Sequence, residues 1–78
     1  MPTLFVVQGY RFFFFSNDGR EPVHVHIEKA GKYAKFWLNP VSVAYNCRFN
    51  SVELNWLVKL VGTRKTEIED RWNDYFNM

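Results

Sequence analysis

The sequence predicts an α+β domain: a three- or four-stranded antiparallel sheet followed by one long or two short C-terminal helices. Three observations carry this. Apolar side chains alternate with period two over about residues 3–45. Turn-forming pairs, Gln8-Gly9, Asp18-Gly19, Ala30-Gly31 and Asn39-Pro40, punctuate that stretch. From Asn50 the apolar period changes to that of a helix, and it persists to about residue 77.

Residues 3–7 (Thr-Leu-Phe-Val-Val) are β-prone, and Gln8-Gly9 interrupts them as a bulge or bend does. Residues 10–16 put Tyr10, Phe12 and Phe14 on one face and Arg11, Phe13 and Phe15 on the other. A strand apolar on both faces is usually covered on both sides. Ser16-Asn17-Asp18-Gly19-Arg20 is a dense turn signal. The next strand alternates strictly: Val23, Val25 and Ile27 on one face, His24, His26 and Glu28 on the other. After a tight turn at Ala30-Gly31-Lys32 comes Tyr33-Ala34-Lys35-Phe36-Trp37-Leu38. Here Ala34, Phe36 and Leu38 suit a core, while Tyr33, Lys35 and Trp37 make a cationic, aromatic opposite face. Asn39-Pro40 stops that strand, residues 41–45 read as a short edge strand, and residues 46–49 as a loop. Asn50, with Glu53 three residues on, opens the helical segment as a capping box does. One helix with a soft point at Gly62 is the first expectation. Two helices, the second capped at Thr63 or Thr66, are the alternative. In either case Trp56, Leu60, Ile68 and Trp72 should pack on Val25, Ile27, Ala34, Phe36 and Leu38.

With 78 residues the chain is expected to be a single domain, 1–78. A short chain needs an efficient core, and 19% aromatic residues supply one with enough left over for a partner surface. The one cysteine, Cys47, rules out an internal disulfide and points to a reducing, cytoplasmic location. The N-terminus lacks the basic region and cleavage site of a signal peptide, and no stretch is long enough to span a bilayer, so no membrane partner is expected. Residues 1–65 carry nine basic and four acidic side chains, residues 66–78 one and four. A basic body with an acidic tail helix is compatible with an anionic partner or with an ordinary solvated surface.

Both histidines of the chain lie in Glu21-Pro22-Val23-His24-Val25-His26-Ile27-Glu28. Alternate strand residues project to one side about 6.6–6.8 Å apart. Two imidazoles so placed can converge on a metal or an anion, or exchange protons near neutral pH. His24 and His26 are therefore the candidate catalytic pair. A metal would need Glu28, Glu21, Asp18 or Cys47 to join them, and that scarcity of ligands leads to the expectation of no metal and no cofactor. The plain structural reading is a half-polar sheet face, with the imidazoles stacked on Tyr33, Trp37 or nearby phenylalanines. If the strands pair in register, Tyr33, Lys35 and Trp37 join the histidines in the kind of aromatic, basic face that RNA-binding sheets use. Arg11, Glu28 and Arg48 complete the candidate binding set. No P-loop, Rossmann glycine pattern, Gly-x-Ser-x-Gly or Cys-x-x-Cys occurs.

The runs Met1-Pro2-Thr3, 9–18 (Gly-Tyr-Arg-Phe-Phe-Phe-Phe-Ser-Asn-Asp), 21–28, 33–41 and 67–73 together resemble a bacterial family catalogued as "domain of unknown function 4160". The Pro-x-His-x-His core, Pro22 to His26, is its most specific element. Many relatives have two prolines before the histidine, where this chain has Val23. Some relatives carry a histidine in the long helix, where this chain has Arg64 or a near neighbour. The resemblance carries no established reaction. It implies one half of a two-gene module with a small cognate protein partner, and a toxin-like role directed at RNA or translation. On that reading His24 and His26 contact phosphate or act as acid and base, and Arg11, Lys35 and Arg48 supply positive charge; a homodimer is compatible with it. A non-enzymatic interaction module using the aromatic surface is the second reading, and a metal-dependent enzyme the third.

Overall fold

A computed structural model of the chain describes residues 3–76. The Met1-Pro2 part of the opening motif and the expected helix end at residue 77 lie outside the described residues. The order of elements is β1 (Thr3–Val7), β2 (Tyr10–Phe13), a 3-10 turn (Asp18–Arg20), β3 (His24–Lys29), β4 (Lys32–Leu38), β5 (Val41–Cys47), α1 (Ser51–Thr63) and α2 (Lys65–Phe76). The five strands form one antiparallel sheet in sequence order, β1-β2-β3-β4-β5.

The fold class is α+β, with five strands where three or four were expected. The additional pairing comes from Gln8-Gly9, which is a hairpin turn rather than a bulge or bend. Gln8 and Gly9 have φ of 50° and 84°, and Val7 pairs with Tyr10 across them. Ala30-Gly31 repeats this geometry, with φ of 48° and 81°, between the paired Lys29 and Lys32. Two consecutive positive φ values suit the right-handed twist of the flanking strands. β2 ends at Phe13, short of residue 16. Phe14 then turns into the apolar core, and Phe15 turns to the opposite face against His26.

Both helices cover the sheet face that carries Phe12, Val25, Ile27, Ala34, Phe36 and Leu38. Leu57, Val61, Ile68 and Trp72 are buried in the same cluster, with Trp56 and Leu60 packed partly buried against it. The Asn50 side chain accepts from the Glu53 backbone N–H at 2.8 Å, and the Glu53 carboxylate accepts from the Asn50 N–H at 3.2 Å, so the capping box forms in full. The helix runs through Gly62 and breaks at Arg64, whose N–H still bonds the Leu60 carbonyl at 2.9 Å. A straight helix over residues 51–76 would be about 39 Å long. The molecule's longest dimension is 34 Å. The break at Arg64 thus lets Ile68 and Trp72 fold back onto the sheet.

Candidate functional site

The register puts His24 opposite Trp37, His26 opposite Lys35 and Phe13, and Glu28 opposite Tyr33 and Arg11. Directly opposed residues in an antiparallel pair share a face. His24, His26, Tyr33, Lys35, Trp37, Arg11 and Glu28 therefore lie together on the side away from the helices. That side is not open at its centre. Both histidines are buried, His24 completely and His26 to 4% exposure, and their rings pack on Trp37, Tyr33, Phe13 and Phe15. The chain between β2 and β3 folds back over them, and α2 reaches them with Trp72. Trp72 lies 5.1 Å from the His24 ring, and Phe15 lies 4.6 Å from the His26 ring. A Cβ on Gly19 would meet the Phe76 ring at 2.7 Å, so the 3-10 turn sits tightly against α2.

That turn brings in Asp18, which is only 9% exposed. Its Oδ2 accepts from the Phe15 N–H at 2.7 Å and lies 2.8 Å from His26 Nε2. Its Oδ1 lies 3.2 Å from His24 Nε2. The donor atoms of Asp18, His24 and His26 all fall within 4.8 Å of one another. Each imidazole is anchored through its other nitrogen. His24 Nδ1 donates to the Pro22 carbonyl at 2.8 Å, and His26 Nδ1 meets the Tyr33 hydroxyl at 2.6 Å. Burial pushes the His26 pKa below its ordinary value against the opposing pull of Asp18, which favours a neutral ring at neutral pH. Neutral His26 is fully bonded: Tyr33 donates to Nδ1, and Nε2–H donates to Asp18. His24 differs, because its Nε2 is buried with no hydrogen-bond partner among the described residues.

A second feature lies at the β3–β4 turn. An open cleft of about 530 Å³ is lined by Arg11, Lys29, Lys32, Glu28, Tyr33 and the backbone of the turn. Arg11 pairs with Glu28 at 2.7 Å, Lys32 with Glu53 at 3.0 Å, and Lys29 lies over the Tyr10 ring at 4.3 Å. Counting Glu53 with the lining residues, three cations meet two carboxylates, which leaves the cleft mildly basic. Tyr33 belongs to both features, since it lines the cleft and its hydroxyl reaches His26. Burial, and the nearby Asp18 charge after it, raise the Tyr33 pKa, so its hydroxyl keeps its proton at neutral pH.

The structure therefore divides the candidate residues. His24 and His26 join Asp18 in a buried cluster. Arg11, Glu28 and Tyr33 line the cleft. Lys35 pairs with Glu21 at 2.7 Å and lies over the Trp37 ring at 4.5 Å, beside the cluster. Exposed Arg48 follows Cys47, the partner of Tyr33, and so stands at the cleft end of the sheet. Among the described residues no hydrogen bond or ion pair joins Arg48 to the cluster. The candidate binding set omits Lys29 and Lys32, whose alternation pattern marks them only as strand ends. Asp18 is named in the sequence only as one of four side chains able to join a metal, inside a turn signal that usually marks solvent.

A family model described as "Domain of unknown function (DUF4160)" matches residues 9–73, which include the buried cluster and the residues lining the cleft. No curated protein and no solved structure matches the chain.

Proposed function

The chain belongs to the DUF4160 family, whose function is unknown, and from that premise we propose that it is an RNA-directed protein of the toxin-like kind. The observation that supports this is the cleft at the β3–β4 turn. Arg11, Lys29 and Lys32 surround it, and the Tyr33 ring stands in its wall. Cations on a groove track phosphates, and an aromatic wall stacks bases without strong sequence preference. His24 and His26 are buried, so they act behind the contact surface, His26 holding the Tyr33 hydroxyl.

The test is fluorescence anisotropy with a labelled single-stranded RNA, using the full chain and an Arg11→Gln, Lys29→Gln variant. Binding should weaken as salt rises. The variant should bind at least tenfold more weakly. Its salt slope should be lower by about 1.4, or about 0.7 for each phosphate that is no longer neutralised. Expression without the cognate partner should slow growth, and the same variant should relieve it. Absence of RNA binding by the folded chain at low salt would overturn the reading.

A second reading has its own observation. β5 is an edge strand of seven residues, with Val43 and Tyr45 exposed. An unpaired strand edge with apolar side chains is a template for strand addition by a protein partner or a second copy of the chain. Replacing Val43 by Lys should then abolish capture of the cognate partner while leaving RNA binding intact.

A further inference from the structure

We propose that Asp18, His24 and His26 form a mononuclear site for a divalent transition cation of the zinc class. The inference starts from the proton on His24. The Pro22 carbonyl can only accept, so the 2.8 Å contact puts a hydrogen on His24 Nδ1. In the neutral ring Nε2 then carries a lone pair. It is buried with no hydrogen-bond partner among the described residues, and Asp18 Oδ1 lies 3.2 Å away but out of line for a hydrogen bond. A buried acceptor left without a donor, beside a carboxylate, is satisfied by a positive charge that both can share. Either a second proton or a metal ion supplies that charge.

Four further features favour the metal. His26 Nε2 is aimed at the same carboxylate, 2.8 Å from Oδ2. Two imidazole nitrogens and one carboxylate oxygen suit zinc-class ions and leave an outer position for water. With metal–ligand bonds of about 2.0–2.1 Å, neighbouring ligand atoms in a tetrahedral shell stand about 3.3 Å apart. The Nε2–O separations are 2.8 Å for His26, to Oδ2, and 3.2 Å for His24, to Oδ1; with all donor atoms within 4.8 Å, closing the shell requires the carboxylate to turn and the imidazoles to draw together. Each ring also has an oxygen partner at its Nδ1, the second hydrogen bond that orients metal-bound histidines.

Proton accounting closes without an outside base. On binding, the hydrogen that His26 Nε2 gives to Asp18 is replaced by one on Nδ1, which then donates to the Tyr33 oxygen. Tyr33 turns its own hydrogen away, and the ring stays neutral throughout. Glu21 marks the entry side. It is half exposed, its Oε1 lies 3.8 Å from His24 Nε2, and Lys35 holds it at 2.7 Å. This site is independent of the proposed RNA cleft, although Tyr33 serves both.

The experiment uses the full chain stripped with a chelator and shown to be folded by circular dichroism. Zn²⁺ is titrated by calorimetry, and Co²⁺ by its visible absorption. The expected result is one ion per chain, bound at least tenfold more weakly by Asp18→Asn or His24→Gln. Tyr33→Phe, a positioning change, should weaken binding about 10–100-fold without removing a ligand. Because the chain has two histidines, its imidazole ¹⁵N spectrum reads the site directly even if a variant does not fold. Both Nε2 signals of the wild-type chain should move on adding Zn²⁺. No saturable binding, unmoved imidazole signals with His24 doubly protonated, or wild-type affinity in folded Asp18→Asn would overturn the proposal. RNA binding measured in excess chelator keeps this outcome separate from that of the cleft.

Discussion

His26 makes contacts on every side: Asp18 and Tyr33 at its two nitrogens, and the rings of Phe13, Phe15 and Tyr33 around it. An imidazole on the open side of a strand could be removed without disturbing the core, which is what alternation in the sequence implies for residues 24, 26 and 28. Here its removal strands the Tyr33 hydroxyl and one direction of the Asp18 carboxylate. His26→Ala should therefore cost about 1–3 kcal/mol from the unpaired groups alone. Urea unfolding of the two chains gives the number, and an unchanged midpoint would show that the cluster contributes nothing to the fold. Growth or binding assays on this variant consequently need a stability control. The pairing of the two histidines was legible from their spacing. The hub that joins them was not, because Asp18 sits in a run of turn residues, and long-range contacts, of Asp18 with His26 and of Gly19 with Phe76, hold that turn against the sheet.

Among the elements, the strands show where sequence reasoning succeeds. Val25, Ile27, Ala34, Phe36 and Leu38 are all buried on one face, as period two requires. The side that the helices cover follows from the same alternation, since this face is the more uniformly apolar. The break between residues 3–7 and 10–16 was visible, but its form as a tight hairpin was not, because Gln8 adopts a positive φ that its side chain does not favour. Gly62 suggested a weak point, yet helix α1 passes through it and turns one residue after its own end, where Ile68 and Trp72 must return to the core. The glycine is exposed, and a Cβ there would meet nothing within 4 Å. Gly62→Ala should therefore stabilise the protein by about 0.5–1 kcal/mol, the helix-interior difference between the two residues. A raised denaturation midpoint with an unchanged m-value is the expected signature. A loss of stability would mean that the chain needs the freedom of glycine near Arg64.

On the scale of the whole molecule, charge is arranged along β4. Lys32 opens that strand at the basic cleft, and Asn39, just past its other end, donates to Glu69 of the acidic helix α2 at 3.1 Å. Seven strand residues separate the two ends by about 23 Å. At the basic end, one carboxylate ties three elements together. Glu53 of α1 accepts from Tyr10 of β2 at 2.9 Å, pairs with Lys32 of β4 at 3.0 Å, and closes the capping box on Asn50. Its pKa is lowered, first by the hydrogen bond from Lys32, then by that from the Asn50 backbone, with Tyr10 contributing less. A carboxyl depressed on folding stabilises the protein above its unfolded value, because the unfolded chain binds the proton more readily. That contribution is lost as pH falls from the ordinary carboxylate range through the lower folded value. Glu53→Gln isolates the effect, since glutamine at this position can still close the capping box but cannot titrate. The variant should be less stable than wild type at pH 7, where the Lys32 pair is intact. The difference should shrink steadily below about pH 4.5, as the wild-type carboxylate takes up its proton. Urea midpoints for both proteins from pH 7 to pH 3 measure this. Two parallel curves would mean that the charge of Glu53 plays no part in holding β2, β4 and α1 together.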